Sequence, residues 1–442
     1  MRYLPHTQED ISKMLAKTGL SSIENLFDCI PEKLKTKNKL QLPKALSEWE
    51  LDEHMDNIAS SINASTRSKY FIGAGSYDHF RPALVNYLIS RSEFSTAYTP
   101  YQPEISQGTL QGIYEFQTMI CELTKMDVAT ASHYDCGTAL AEALLIALKK
   151  KKKKKIAVSS LIHPHHKEII RTYLKPSGYQ LIEIPYNKEG LTDFSKVEAM
   201  DDIAGIGVQS PNFFGNIEDL GLARKVCDSK NALFIASFTE ALSLGLLKPP
   251  GEFGADLVAG EGQSLGLGKS FGGPGLGLLA GNKKQMRNLP GRYVGKTIDA
   301  NGKQGYVLTL ATREQHIRRE KASSNICSNN GLNAMTCAVY LAALGKMGIK
   351  EIAQQNHDKT YFLKSELEKI GFTIPFSAQF FNEFVAIAPD GFETKRDMLS
   401  KKGIYAGINL EQYFPKLKNH YLFCATETIK KKDIENLVQE VK

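Results

Sequence analysis

GEGQSLGLGKSFGGPGLG, residues 260–277, carries eight glycines in eighteen positions and a single lysine, Lys269, near its middle. Glycine removes the Cβ, so such a run suits a backbone that must take φ > 0 or let a ligand come into contact. Strand-like apolar pieces flank it, 256–259 before and 276–280 after, which places the loop at the end of a sheet. Open α/β folds bind their ligands at that edge. A lysine there is a candidate Schiff-base residue for a carbonyl cofactor such as pyridoxal phosphate. The alternative is a solvated loop lysine.

Outward from this loop, strand-like segments alternate with helical ones at 156–160, 181–185, 205–209 and 233–236, the pattern of a mostly parallel sheet with crossover helices. The turn Ser210-Pro211-Asn212-Phe213-Phe214-Gly215 and Glu240 each follow a strand, so both fall on the ligand edge with Lys269. Upstream, Asp135-Cys136-Gly137-Thr138 opens the helix ALAEALLIAL. Gly137 and Thr138 are there either an anion seat on free N–H groups or an ordinary helix cap. Tyr98, Thr99, Tyr101, Gln102 and Glu104 crowd hydrogen-bonding side chains into one Pro-bearing loop, the mark of a functional loop. The helix after it has one apolar face from Leu110, Ile113, Phe116, Ile120 and Leu123.

Three Ser/Thr-to-carboxylate capping boxes, opening at Thr7, Ser21 and Ser47, make residues 1–65 a set of short helices, an arm laid over another surface. Residues 66–330 form the large domain. Residues 331–442, with helices at 332–344 and 349–370 and strands at 372–376, 383–387 and 421–424, form a small α/β domain. Arg313, Arg318, Arg319 and Lys321 gather on one short segment suited to an anion or an acidic partner, or to a solvated helix face.

The chain of 442 residues is 42% hydrophobic, enough for more than one core. The formal charge of +7 equals the seven lysines of the run Lys149–Lys155, expected to be a solvated connection, and no aromatic residues interleave them as single-strand nucleic-acid binding requires. The start MRYLPHTQED has no apolar signal region and no uninterrupted apolar run of membrane-spanning length is expected, so a soluble, cytoplasmic protein is anticipated. The cysteines are seven, scattered and without a CxxC pair, as reduced thiols would be. His163, His165 and His166 invite a metal reading but lack a further ligand at the right spacing, so a surface cluster and no metal are expected. Gly73-Ala74-Gly75 resembles the start of a dinucleotide fingerprint, the feature of a rival nicotinamide dehydrogenase, but Asp78 stands where the third glycine belongs.

Several longer motifs carry a family resemblance: YTPYQPEISQGTL (98–110), PNFFG (211–215), LLKPPGEFGAD (246–256), GEGQSLGL (260–267), FGGPG (271–275), LPGR (289–292) and LTLATREQHIRREKASSNIC (308–327). Together they resemble the glycine cleavage system P-protein, the decarboxylating, aminomethyl-transferring glycine dehydrogenase, and in particular its N-terminal half or separate α-subunit, subunit 1. The resemblance implies the pyridoxal-phosphate fold type I of the aspartate-aminotransferase kind, with a large domain on a mostly parallel sheet, a small C-terminal α/β domain and an arm that embraces a partner. It implies that glycine is decarboxylated on pyridoxal 5'-phosphate and its aminomethyl group passed to the lipoyl arm of H-protein. It further implies an α2β2 heterotetramer in which a homologous β-subunit holds the cofactor lysine. On this basis Tyr98, Tyr101, Gln102 and Glu104 line a shared site, while Arg313 and Arg318 serve the interface or an anion. Three positions depart from the α pattern: Lys269 replaces an apolar residue, Glu240 stands for an aspartate, and Cys136 for a smaller or acidic residue. Two other assignments stay open at this point, a self-sufficient enzyme using Lys269 and a non-catalytic scaffold.

Overall fold

The computed structural model describes residues 5–36, 38, 40–61, 68–310 and 314–442. They fall into two compact units, residues 1–64 and 65–442. In the first unit, helix Gln8–Thr18 begins at the expected capping box, in which the Thr7 hydroxyl and the Asp10 carboxylate serve each other's backbone N–H, and ends at Gly19 in the left-handed region. Ahead of helix Glu48–Ser61 only half of such a box forms, the Glu50 carboxylate accepting from both the N–H and the hydroxyl of Ser47. This unit keeps large apolar side chains exposed, among them Leu26, Phe27, Leu40, Leu42 and Trp49. Helix Gln8–Thr18 has no buried residue at all.

The second unit is built on a seven-stranded sheet. Its strands are β1 (Val128–Ala129), β2 (Lys155–Ser159), β3 (Gln180–Ile184), β4 (Ile203–Gln209), β5 (Leu233–Phe238), β6 (Leu257–Glu261) and β7 (Gly277–Gly281). Their order is β1-β7-β6-β5-β4-β2-β3, with β7 antiparallel to both neighbours and the other pairs parallel. Strands β2 to β7 lie within two residues of the segments read from the sequence, and β1 was not anticipated. Both faces are covered, as a parallel sheet requires. Helix Cys136–Lys151 packs its Ala- and Leu-rich length on one face with Ile156, Val158, Ile235 and Ala259, while helix Gln107–Thr124 covers the other through Leu110, Ile113, Phe116 and Ile120 against Ala157, Phe234, Ala236 and Val258. The alternation of Ile156, Ala157 and Val158 between the two cores is the strand period of two made visible.

A hairpin, Tyr293–Ile298 against Gln304–Thr309, was not anticipated and follows the glycine-rich loop and β7. The two helices expected at 332–344 and 349–370 form one run, Gly331–Glu368, broken at Gly345, whose φ of 59° and ψ of −175° are not helical. By length and composition alone this run is long and apolar enough to cross a membrane. Its buried face, including Ala334, Cys337, Tyr340 and Leu341, packs into the large core. The expected strand at 372–376 is not one: Thr373 makes a single bridge to Ile387, and Pro375, which has no N–H, ends the pairing. Strands Glu383–Ile387, His420–Cys424 and Ile408–Asn409 make a separate antiparallel sheet with its own aromatic core of Phe372, Phe384, Phe392 and Phe423.

Candidate active site

The carboxyl ends of β2, β4, β5 and β6 open on the crevice where this architecture binds ligands. Segment Gly73–His79 of the same chain fills it. The ring of Tyr77 is buried there; its hydroxyl donates to Glu383 (2.7 Å) and lies 3.3 Å from Thr239, and its N–H donates to the Gln263 side chain (2.9 Å). The Ala74 N–H donates to the other oxygen of Glu383. Gly73 is needed because a Cβ there would stand 2.5 Å from Glu383 Oε1 and 2.6 Å from the Tyr77 ring. The Gly73-Ala74-Gly75 run is thus a close backbone approach within the chain rather than a dinucleotide loop.

His79 lies between two carboxylates, its Nε2 2.9 Å from Glu240 and its Nδ1 2.8 Å from Glu427. Burial by itself would lower its pKa, but the Glu240 and Glu427 carboxylates outweigh burial and hold the imidazolium up to about 10. Glu240 also accepts from the Asn382 amide (3.2 Å). Burial raises Glu383 to about 7 and raises Tyr77 as well. The crevice is therefore a hydrogen-bonded, charged plug joining the sheet edge to Asn382, Glu383 and Glu427 of the C-terminal region.

The other features of the edge are equally committed. Gln263, two residues past β6, accepts from the Tyr77 N–H and donates to the Tyr77 and Leu267 carbonyls, which uses its whole amide. Lys269 turns to Asp78 (2.6 Å) and lies over the Tyr70 ring, 3.4 Å from its centroid. At the helix start, Asp135 accepts from the Thr138 N–H (2.7 Å) and Glu261 from the Cys136 N–H (3.0 Å), so two carboxylates stand where an anion at Gly137 and Thr138 would sit. Burial raises Glu261 to about 7. This crevice does not fit pyridoxal phosphate: its volume is filled, its phosphate seat is capped by carboxylates, and the lysine of its loop is paired elsewhere.

The histidines cluster as expected, but of the three only His165 is exposed. His163 is buried, its ring stacked on His166 at 4.6 Å and its Nε2 2.9 Å from the Ala74 carbonyl; burial lowers it to about 4.

A second, open cavity of about 340 Å³ lies beside the tyrosine loop, lined by Tyr98, Thr99, Pro274, Arg292, Ser328 and Asn330 over an apolar floor that includes Ile113 and Met335. Tyr98 is 80% exposed and its hydroxyl lies 2.8 Å from Ser328 Oγ. Tyr101 joins through Arg292, whose Nη2 donates to its hydroxyl (3.2 Å). Gln102 and Glu104 are exposed and do not line the cavity. Asn330 ties the glycine-rich loop to the cavity by donating to the Gly275 and Tyr134 carbonyls, each at 2.8 Å. Arg318 is exposed at the end of the short helix Gln315–Arg318, and Arg313 lies outside the described residues. Sequence reasoning missed Tyr77, His79, Glu383, Glu427, Arg292 and Asn330. Only Arg292 had a local signal, as the last residue of LPGR.

A mostly parallel seven-stranded sheet with one antiparallel strand inside it, helices on both faces and a small C-terminal sheet define the fold type I class of pyridoxal-phosphate-dependent enzymes. Solved structures agree on the fold: a Burkholderia pseudomallei sphingosine-1-phosphate lyase at 14% identity, covering 93% of each chain with a TM-score of 0.67, and a Thermococcus onnurineus cysteine desulfurase at 15% identity, covering 87% of this chain and 96% of the other with a TM-score of 0.62. Within the class, the family described as glycine cleavage system P-protein matches residues 1–441. The chain is 50% identical to the probable glycine dehydrogenase (decarboxylating) subunit 1 of Desulfotalea psychrophila, covering 100% of this chain and 98% of that one. It is 49% identical to the same subunit of Bacillus thuringiensis subsp. konkukian over the same shares. A crystal structure of glycine decarboxylase (P-protein) of the glycine cleavage system, in inhibitor-bound form, superposes with a TM-score of 0.91 at 40% identity, covering 100% of this chain and 99% of the other. This chain belongs to the glycine cleavage system P-protein family.

Proposed function

We propose that the chain is subunit 1 of a glycine decarboxylase and that it works without a cofactor lysine of its own. The observation that carries this is the filled crevice: Tyr77 and His79 occupy the space at the strand ends, and Lys269 is paired with Asp78 of the same segment. Pyridoxal phosphate, which supplies the electron sink for losing CO2 from glycine, then belongs on a homologous partner subunit. The aminomethyl group left by decarboxylation passes to the lipoyl arm of H-protein, and the two subunits assemble as α2β2 in the cytoplasm.

In that assembly this chain provides a wall rather than the reacting lysine. Tyr98 and Tyr101 present hydroxyls beside an open cavity, where positioned donors stabilise developing charge and a covering partner excludes water. Ile105 of the tyrosine loop is 77% exposed and Phe271 of the glycine-rich loop 87%, apolar side chains of the kind a second protein would cover. Gln102 and Glu104 are assigned to the part of the site that the partner completes. Arg313 and Arg318 are assigned to the interface or an anion. The arm at 1–65 embraces the partner, residues 66–330 form the large domain, and 331–442 form the small one. The exposed apolar residues of the first unit support the arm assignment, since they need a cover.

The test is reconstitution. The purified chain with pyridoxal phosphate is expected to give no aldimine absorbance and no decarboxylation alone, and both in the mixture with a lysine-bearing homologue. Decarboxylation by this chain alone would refute the proposal; a mixture no more active than the partner alone would leave only a scaffold.

A further inference from the structure

Arg292 is 3% exposed in its side chain, and so is its counter-ion Glu314 at 5%, with Arg292 Nε 3.4 Å from Glu314 Oε2. A buried guanidinium costs free energy unless its N–H groups find partners. Here one N–H from each terminal nitrogen goes to the tyrosine loop, Nη1 donating to Thr99 Oγ1 and Nη2 to the Tyr101 hydroxyl, each at 3.2 Å, while Nε makes the ion pair with Glu314 without a hydrogen bond. The guanidinium also faces the Tyr101 ring, 5.3 Å from its centroid. The same ring meets His316 edge-on at 5.6 Å, and His316 Nδ1 lies 3.5 Å from Glu314 Oε2, which closes the circuit. The base of the circuit is fixed, because the Arg292 carbonyl accepts from the Ala131 N–H (2.9 Å) just past edge strand β1. One rigid fork therefore reaches from the sheet edge to two hydroxyls of an otherwise exposed loop, a geometry that a lysine's single point charge does not reproduce.

We infer that Arg292 is the positioning residue of the tyrosine loop: by holding Thr99 and Tyr101 it sets where the Tyr98 and Tyr101 hydroxyls stand toward the partner's reacting atoms. The inference rests on the shared-site proposal above. It gives the LPGR motif a role in the reaction that packing alone does not.

The experiment uses the reconstituted two-subunit enzyme and measures glycine decarboxylation, thermal stability and subunit assembly. Arg292→Met is expected to lower kcat about 10- to 100-fold, as loss of positioned donors does, with KM for glycine changed less than about 3-fold. Arg292→Lys is expected to recover only part of that. In the pair Arg292→Met/Tyr101→Phe the second change is expected to add less than about 2-fold, because both act through one contact. The variant Arg292→Met/Glu314→Gln removes the stranded buried charge, so it is expected to regain melting temperature without regaining turnover. Additive losses in the pair, wild-type turnover in Arg292→Met, or turnover returning with stability in the Glu314→Gln background would each overturn the inference. Wild-type turnover in both Tyr98→Phe and Tyr101→Phe would instead remove the shared-site proposal beneath it.

Discussion

His79→Gln tests the plug directly. In the native chain the imidazolium separates Glu240 from Glu427, and all three side chains are at most 8% exposed. Glutamine keeps hydrogen-bonding capacity but no charge, so two buried carboxylates face each other. Lost charge-assisted bonds set a deficit of about 1–2 kcal/mol near pH 5. Above the ordinary carboxylate range the variant keeps one carboxyl protonated, and its stability falls by about 1.4 kcal/mol per pH unit. The native chain behaves differently. The folded pKa of His79 is about 10 against an ordinary 6.5, so its contribution is complete below 6.5 and declines as pH rises from there through 10. From pH 5 to 6.5 only the variant loses stability, and the deficit grows by about 2 kcal/mol; above 6.5 both fall at one slope and it levels off. At an unfolding entropy of about 0.8 kcal/mol/K for a unit of this size, the melting temperature is lower by about 2 °C at pH 5 and by about 4–5 °C at pH 7. Scanning calorimetry across pH 5 to 9 measures this. A deficit that is the same at every pH, or below about 1 °C at pH 7, would refute the ionised bridge.

Three further outcomes are expected. Tyr98→Phe and Tyr101→Phe each lower decarboxylation by the assembled enzyme about 10-fold or more with assembly intact, checked by turnover and gel filtration. Replacing Lys149–Lys155 by mixed polar residues leaves turnover unchanged and lowers the melting temperature by no more than about 2 °C, since the lost contacts include exposed ammonium bonds such as Lys149 on the Ser323 carbonyl and Lys151 on the Asn231 side chain. Gly215→Ala destabilises by about 3 kcal/mol or more, because Gly215 has φ of 84° and a Cβ would stand 2.0 Å from the Glu383 carbonyl oxygen; an unchanged urea midpoint would contradict that packing.

Much of the architecture was legible because it is periodic. The apolar runs that became β2 to β7, the capping box at Thr7 and the apolar face of helix Gln107–Thr124 all obey local rules that a sequence shows. The hairpin after the glycine-rich loop was legible too, since Asn301-Gly302 between two strand-forming runs is a strong turn signal, yet it was passed over. The site divides in the same way. The tyrosine loop announces itself by composition, and its Tyr98 and Thr99 do line the cavity. The plug does not, because His79 meets partners 161 and 348 positions away and no spacing rule links them. Lys269 illustrates the limit of composition: a lysine in a glycine-rich loop suggests a reacting amine, and only the fold reveals that Asp78 and Tyr70 hold it. Gly137 and Thr138 are similar, for whether a helix start binds an anion depends on Asp135 and on the distant Glu261.

The central claim, that this chain acts through a partner's lysine rather than its own, is tested most directly by borohydride reduction with pyridoxal phosphate and peptide mapping, on the chain alone and with its partner. The expected result is no stoichiometric pyridoxyl label on any lysine of this chain, Lys269 included, and full label on the partner in the active mixture. Stoichiometric label on Lys269, lost in Lys269→Ala together with activity, would contradict the account and make this chain the catalytic subunit.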